Sequence, residues 1–242
     1  MQIKKITAVL LTLILSVSLA ACGSGQTAAE SPGTEKQQEE AQTEEDEVTV
    51  IETVQAIQDT EDRSNDILIL YFSANNTKDV DAISSATPMT DGTSSVEWIA
   101  DIIHENVGGD IVPIIPSVDY PLLYDDLADY AKEEADNDER PTFENLGVDP
   151  TAYKTVFIGY PIWWYTTPKI LETFFETYDF SGVTIIPFNT HAGSRDGGTY
   201  SLIKEREPDA TVFPGLAVRG EDAGKDDTRN TVMQWLEQLD LD

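Results

Sequence analysis

Short apolar runs alternate with longer amphipathic segments from residue 66 onward, and this alternation constrains the fold more than any other feature of the sequence. The apolar runs suit strands that are buried on both faces, whereas the segments between them carry apolar residues at helical spacing. Strands are predicted at 67–72, 110–115, 155–160, 183–188 and 211–218, and helices at 96–107, 125–136, 169–178 and 226–239. This order predicts an α/β domain over residues 66–242, a doubly wound five-stranded parallel sheet in the order 2-1-3-4-5 with helices on both faces.

In such a sheet, ligands bind beyond the carboxyl ends of the strands, so the loops after Phe72, Tyr160 and Phe188 should meet at one site. The first loop has hydroxyl and amide groups, which suit either the binding of a phosphate or an ordinary polar turn. The second loop has three consecutive aromatic residues, which suit stacking on a planar ring unless one indole folds back over the sheet edge. The third loop combines glycines with hydroxyls, and it suits close approach to a flat ligand or forms a flexible surface loop.

The charge balance and the rarity of Cys and His exclude several classes of function. The chain has 45 acidic and 15 basic residues, and a surface with a net charge of −30 repels nucleic acid. One cysteine excludes a disulfide framework, a Cys-ligated zinc site and an iron–sulfur cluster, and two histidines exclude a His-rich metal site. The remaining candidates for chemistry are carboxylates, hydroxyls, aromatic rings and a bound cofactor.

The first 65 residues differ in composition from the rest of the chain. Residues 1–21 have a basic start, an apolar stretch and small residues before Cys22, and they resemble a bacterial lipoprotein signal peptide. The resemblance implies a lipidated Cys22 and anchoring on the outer side of the cytoplasmic membrane. The alternatives are an unprocessed membrane helix and a plain signal peptide with a chance cysteine. Residues 22–65 are polar and acidic, so a disordered tether is expected there.

Four runs of the sequence resemble the flavodoxin family, and specifically its bacterial flavodoxin-like branch with a Trp-Trp loop. They are residues 69–73, 159–165, 178–182 and 187–191, and the similarity covers about residues 66–240. The resemblance implies non-covalent binding of FMN, with the first loop at the phosphate and the other two loops at the isoalloxazine ring.

By position, the resemblance assigns the cofactor contacts to these three loops. The phosphate would be held by Ser73, Asn75, Asn76 and Thr77. One face of the ring would be covered by Pro161, Ile162, Trp163, Trp164 and Tyr165. The other side of the ring would be approached by Thr190, His191, Ala192, Gly193 and Ser194. The phosphate loop departs from the family pattern because Asn75-Asn76 stands where Thr-Gly is expected. The substitute phosphate donors would come from the start of the next helix, at Thr93, Ser94 and Ser95.

These expectations describe a redox carrier, since no residue has the setting of an acid–base catalyst. Bound FMN would exchange electrons with a redox partner protein or a small electron acceptor, and the acidic surface would lower the potential and attract a basic partner. His191 either hydrogen-bonds the flavin or is an incidental loop residue, and His104 is expected on a helix surface. Two alternatives stay open, an NAD(P)H-dependent quinone or flavin-type reductase and a non-enzymatic binding module that has lost FMN.

Overall fold

The computed structural model describes residues 66–74, 92–121, 123–239 and 241. The strands in these ranges are Ile67–Phe72 (β1), Asp110–Ile114 (β2), Thr155–Pro161 (β3), Thr184–His191 (β4), Thr211–Val212 (β5) and Leu216–Arg219 (β6). The helices are Ser95–Val107 (α1), Tyr124–Asp136 (α2), Lys169–Thr177 (α3), Thr199–Arg206 (α4) and Asp226–Leu236 (α5). The expectations for the signal peptide, the tether, Cys22, Asn75, Asn76 and Thr77 lie outside the described residues.

The strands form a parallel sheet in the order β2-β1-β3-β4-β5, and β6 also pairs with β4. At the centre of the sheet, Leu70 of β1 lies opposite Val112 on one side and Ile158 on the other. The reversal of strand order falls between β1 and β3, so their carboxyl ends open into a crevice between diverging connections. The predicted doubly wound α/β fold is confirmed.

Each face of the sheet has its own hydrophobic core, because side chains alternate between the two faces along a strand. On one face, Leu68, Leu70 and Phe72 pack with buried residues of α2, α3 and α4. On the other face, Ile67 and Ile69 pack with buried residues of α1 and α5. Because the strands are parallel, each helix begins after the carboxyl end of the strand that precedes it and runs back along the sheet, so the helix starts lie at the edge where the site is expected.

Strand β4 continues three residues beyond the predicted end at Phe188, and this corrects the prediction that a loop begins at Asn189. Asn189 and Thr190 are fully buried and pair with β3 on one side and β6 on the other. A polar residue is stable inside a sheet when its side chain has hydrogen-bond partners. Tyr200 Oη donates to Asn189 Oδ1 at 2.5 Å, and Asn189 Nδ2 donates to the carbonyl of Arg195 at 3.0 Å.

The predicted fifth strand is divided into β5 and β6, and an unpredicted helix, α4, precedes it. Residues 213–215 interrupt the strand at Pro214, whose nitrogen cannot donate to the ladder, and at Gly215, where a Cβ atom would collide with the Pro187 carbonyl and the Tyr200 ring. Helix α4 has only eight residues and buries Thr199 and Ile203. So short a buried stripe produces almost no helical periodicity in the sequence.

Candidate functional site

A cleft of about 750 Å³ opens at the carboxyl edge of the sheet. Its walls come from the residues after β3, the residues after β4 and the first turns of α2. The lining residues are Tyr124, Asp125, Ala128, Asp129, Ile162, Trp164, Tyr165, Ala192, Gly193 and Ser194. Two of the three predicted loops therefore meet at one cavity whose size is typical of sites for cofactors and other small molecules.

The wall that follows β3 is a tight hairpin turn, Trp163–Thr166, which we call the aromatic turn. Trp163 N donates to the carbonyl of Thr166 at 3.0 Å, and Thr166 N donates to the carbonyl of Trp163 at 2.9 Å. Trp164 and Tyr165 between them have φ values of 48° and 65°. Two central residues with positive φ define a type I′ turn, which favours Asn-Gly and is costly for bulky side chains. The turn therefore holds two large rings in a conformation that their own backbones disfavour.

Trp163 corrects the expectation that the three consecutive aromatic residues lie outside the core. Its side chain is 2% exposed and packs edge-on against Phe72 and Tyr120, with ring centroids 5.4 Å apart in both pairs. Strand alternation alone would place Trp163 on the face of Phe157, so the chain leaves its extended course after β3, and the turn brings the indole over the core that contains Leu70 and Phe72. The indole packs between Phe72 and Tyr120 and is not among the residues that line the cleft, so Trp163 anchors the aromatic turn from below.

Trp164 and Tyr165 form the exposed part of the aromatic turn, with exposed fractions of 46% and 76%. Trp164 Nε1 donates to the carbonyl of Ala128 in α2 at 3.0 Å, and the ammonium of Lys132 lies 5.6 Å from the centre of its ring. These contacts fix the indole against α2. No described residue makes a ring contact with Tyr165. The largest exposed aromatic surface at the cleft is therefore that of Tyr165.

The end of β4 places a neutral imidazole close to the cleft. Gly193 N donates to His191 Nδ1 at 2.9 Å, so the proton of the neutral ring is assigned to Nε2. Burial, together with the positive charges of Arg219 and Arg195, lowers the pKa of His191 below its usual value. The imidazole is therefore uncharged at neutral pH and serves as a hydrogen-bond donor. His191 and Thr190 are buried, whereas Ala192, Gly193 and Ser194 line the cleft.

The loop after β4 touches the aromatic turn through Gly197. A Cβ atom at this position would lie 2.9 Å from the carbonyl oxygen of Tyr165, and Gly197 has a φ of 58°. Only a glycine satisfies both the close approach and the positive φ. A buried chain of hydrogen bonds fixes the same loop, because Thr199 Oγ1 lies 2.9 Å from Tyr160 Oη and donates to the carbonyl of Asp196 at 2.6 Å. The two walls of the cleft are thus held against each other.

The start of α1 is close to the end of β1, since Tyr71 Oη donates to Glu97 Oε1 at 3.1 Å. Ser94 and Glu97 form a capping box, in which Glu97 N donates to Ser94 Oγ at 3.0 Å and Ser94 N donates to Glu97 Oε2 at 3.3 Å. Ser95 Oγ is buried without a hydrogen-bond partner in the described part of the chain. Ser94 therefore caps the helix, and Ser95 keeps an unused donor. Ser73 and Thr93 are partly buried on either side of the undescribed residues 75–91.

Helix α2 supplies cleft residues that are not among those predicted from the sequence. Tyr124 and Ala128 are one helical turn apart, as are Asp125 and Asp129, so these side chains share a face. Neither aspartate has a hydrogen bond or ion pair with a described residue. Strand order could have indicated them, because the helix after β2 also begins at the carboxyl edge of the sheet.

Within the described ranges, no group of three or more His, Cys, Asp and Glu side chains has the arrangement of a metal site. Among the described helices, none combines the length and the apolar character that a bilayer crossing requires.

Comparison with known proteins gives a family match over the whole described domain. The family model for flavodoxin matches residues 66–239. Two similar solved structures from Bacteroides are provisionally described as flavoproteins. That from Bacteroides uniformis ATCC 8492 is 28% identical, with 72% of this chain and 99% of that chain covered and a TM-score of 0.56. That from Bacteroides eggerthii DSM 20697 is also 28% identical, with 71% of this chain and 95% of that chain covered and a TM-score of 0.54.

A flavoprotein in complex with FMN from Lactobacillus acidophilus NCFM is 17% identical, with 66% of this chain and 97% of that chain covered and a TM-score of 0.47. A search of curated proteins found no match. The family model spans well over half of the sequence and includes both walls of the cleft that follow β3 and β4. The chain therefore belongs to the flavodoxin family.

Proposed function

We propose that the domain binds FMN in the large cleft and acts as an electron-transfer protein. The observation that carries this proposal is the convergence of the aromatic turn and residues 192–194 on one cavity at the carboxyl edge of the sheet. Membership of the flavodoxin family and the flavoprotein description of the two Bacteroides relatives support it.

Three observations indicate that the cleft fits a planar ring system. Tyr165 and Trp164 offer exposed aromatic surface on one wall. The opposite wall has small residues at Ala192, Gly193 and Ser194, which let a flat ligand approach the backbone. The lining also combines aromatic and apolar side chains with polar ones, among them Asp125, Asp129 and Ser194, as cofactor sites do. The isoalloxazine ring of FMN would therefore lie between Tyr165 and residues 192–194.

The phosphate end of the ligand would lie near the start of α1. Ser95 Oγ, a buried hydroxyl without a partner among the described residues, is the group that best fits a phosphate there. The Glu97 carboxylate caps the same helix and carries a negative charge, which opposes a phosphate at the helix axis. Ser95 and the loop that follows Ser73, rather than the helix dipole, are therefore assigned to the phosphate.

Bound FMN supplies the redox chemistry, since it accepts and releases one or two electrons. The protein would control the charge around the ring. Asp125 and Asp129 lie on the cleft wall, and at a separation of about 4 Å and an effective dielectric of about 20, like charges repel by about 4 kcal/mol before screening. Such repulsion disfavours the anionic reduced flavin, so a low reduction potential is expected. None of the described residues that line the cleft is a histidine, cysteine or lysine, which favours a carrier over an acid–base enzyme.

Titration of the purified protein with FMN, followed by absorption and flavin fluorescence, tests the proposal. Saturable binding with quenched fluorescence is expected, and a protein that ignores added FMN would instead be a binding module without the cofactor. Stopped-flow mixing of the FMN complex with NADH distinguishes the carrier from a reductase. Slow bleaching of the flavin is expected for a carrier, whereas bleaching in milliseconds would favour the NAD(P)H-dependent reductase.

We also propose that Cys22 is lipidated and anchors the domain on the outer side of the cytoplasmic membrane. The support is the basic and apolar sequence before this cysteine and its position after small residues. Cys22→Ser is expected to prevent incorporation of a labelled fatty acid and to release the protein from the membrane fraction. A Cys22→Ser protein that remains labelled would contradict the proposal.

Gly197→Ala is expected to weaken FMN binding by at least about fivefold, because the added methyl group displaces the aromatic turn from its preorganised position. Gly198→Ala is the matched control, since Gly198 also has a positive φ (80°) but has no atom within 4 Å of an added Cβ. Gly198→Ala should lose about 1 kcal/mol of stability in urea unfolding, and Gly197→Ala should lose more because of its added contact with the Tyr165 carbonyl. Equal FMN affinities for the two variants would contradict the prediction, because they would show that the close contact between Gly197 and Tyr165 does not affect flavin binding.

A further inference from the structure

A second cavity of about 280 Å³ lies beside the carboxyl-terminal half of α2, apart from the flavin cleft. Its wall includes the rings of Tyr120 and Tyr130 and the side chains of Glu134, Glu139 and Arg140. The flavin proposal uses none of these residues. The cavity therefore needs its own explanation.

Glu134 is a buried carboxyl group with one oxygen available to the cavity. Its side chain is only 2% exposed, and Tyr120 Oη donates to Glu134 Oε2 at 3.2 Å. No described residue donates a hydrogen bond to Glu134 Oε1, and none forms an ion pair with Glu134. Buried carboxylates are normally paired with a cation or with several donors. Glu134 Oε1 can therefore accept a hydrogen bond from a positively charged donor in the cavity.

The cations near Glu134 are engaged elsewhere. Arg140 forms ion pairs with Asp138 at 3.0 Å and with Glu176 at 2.8 Å. Lys169 forms an ion pair with Asp138 at 2.6 Å. Arg206, which interacts with the charges of Arg140 and Asp138, forms an ion pair with Glu172, so with Glu134 and Glu139 this region has five carboxylates and three cations. The local charge is negative, so a cationic ligand is favoured and an anionic one is repelled.

The apolar part of the wall determines which kind of cation fits. The rings of Tyr120 and Tyr130 have centroids 5.5 Å apart and planes at 84°, so they form two sides of a corner. Aromatic rings attract organic ammonium groups and pack against alkyl chains. A hard metal ion needs six or more oxygen ligands, including water, and the described residues hold no group of three metal-ligating side chains.

We propose that this cavity binds a small primary alkylammonium ion. The ammonium group donates a hydrogen bond to Glu134 Oε1 and lies in the negative field of Glu139. The alkyl chain packs in the corner between Tyr120 and Tyr130. The site does not depend on FMN, so this proposal and the flavin proposal can fail separately.

Isothermal titration of the full chain with n-butylammonium at pH 8 tests the proposal. Saturable binding is expected, at least about tenfold tighter than binding of the neutral analogue 1-butanol. Glu134→Gln should weaken n-butylammonium binding at least about tenfold, because it removes the charge and keeps the shape. Glu133→Gln is the matched control, since Glu133 is exposed on the same helix and the variant has the same net charge. The control should bind within about twofold of the natural protein.

Two further measurements separate a real site from general attraction to an acidic protein. Burial raises the pKa of Glu134 to about 7, with a further increase from Glu139 and opposing contributions from Tyr120 and Lys169. Affinity should therefore fall about thirtyfold from pH 8 to pH 5.5, as Glu134 gains a proton. Tyr130→Leu should weaken binding about fivefold without unfolding the protein. Absence of saturable binding, or equal affinity in Glu134→Gln and Glu133→Gln, would overturn the proposal.

Discussion

A double variant, Trp164→Asn with Tyr165→Gly, is expected to be more stable than the natural protein and to bind FMN at least about tenfold more weakly. Both positions have positive φ, and Asn-Gly is the pair that a type I′ turn prefers. Relief of the backbone at two bulky residues contributes about 2 to 4 kcal/mol. Loss of the hydrogen bond from Trp164 to Ala128 and of the contact with Lys132 removes about 1 to 2 kcal/mol. The difference between these two contributions is a net gain of about 1.5 kcal/mol, within a range of about 0 to 3 kcal/mol.

Urea unfolding of the apoprotein and FMN titration measure the two opposite effects. Tyr165→Phe is the control, because it keeps the ring and the strained φ and changes neither quantity. A double variant that gains stability and keeps its FMN affinity would show that the exposed rings do not hold the flavin. A double variant that loses stability would show that the turn is not strained. A double variant that gains stability and loses FMN affinity would mean that the aromatic turn is kept for ligand binding at the expense of the stability of the fold.

Glu134→Gln is expected to become progressively more stable than the natural protein as the pH rises from 5 to 8. Burial raises the pKa of Glu134 from an ordinary 4.5 to about 7 in the folded state. Between these values the folded state holds the proton more tightly than the unfolded state, so the natural protein loses stability as the pH increases through this interval. The glutamine side chain of the variant does not titrate and can still accept the hydrogen bond from Tyr120. The difference in unfolding free energy should grow by about 2 kcal/mol over this range.

Urea unfolding of both proteins at several pH values, without added amines, measures this difference. The other charged and titratable groups near Glu134 are unchanged in the variant, so subtraction removes their contributions; they are Tyr120, Tyr130, Glu139, Arg140 and Lys169. Exposed Glu133 provides the comparison, and Glu133→Gln should follow the natural protein at every pH. A difference that is flat with pH would mean that Glu134 is ionised in the folded protein throughout.

The fold could be predicted from the sequence because its main elements are long or continuously apolar. Strands such as Ile67–Phe72 and helices such as Ser95–Val107 bury whole stripes of side chains, and those stripes appear in the sequence as periodicity. The end of β4 could not be predicted in this way. Asn189 and Thr190 are polar by composition, and they are stable in the sheet only because distant residues such as Tyr200 provide hydrogen bonds.

The candidate site was predicted in position more accurately than in detail. The switch-point rule located the cleft from strand order alone. It could not show that Trp163 belongs to the core while Trp164 and Tyr165 face outward, because that difference depends on two positive φ values. Nor could it show the contribution of Asp125 and Asp129, whose side chains reach the cleft through the packing of α2.

Helix α2 forms part of the wall of both cavities, with Ala128 and Asp129 at the large cleft and Tyr130 and Glu134 at the small one. A packed helix moves as a rigid body, so an occupant that displaces it in one compartment alters the dimensions of the other. Any heterotropic effect between the two ligands must then be reciprocal: if one changes the affinity for its neighbour by some factor, its own affinity changes by the same factor. Two titrations, each repeated with the other compartment filled, would give the same coupling free energy.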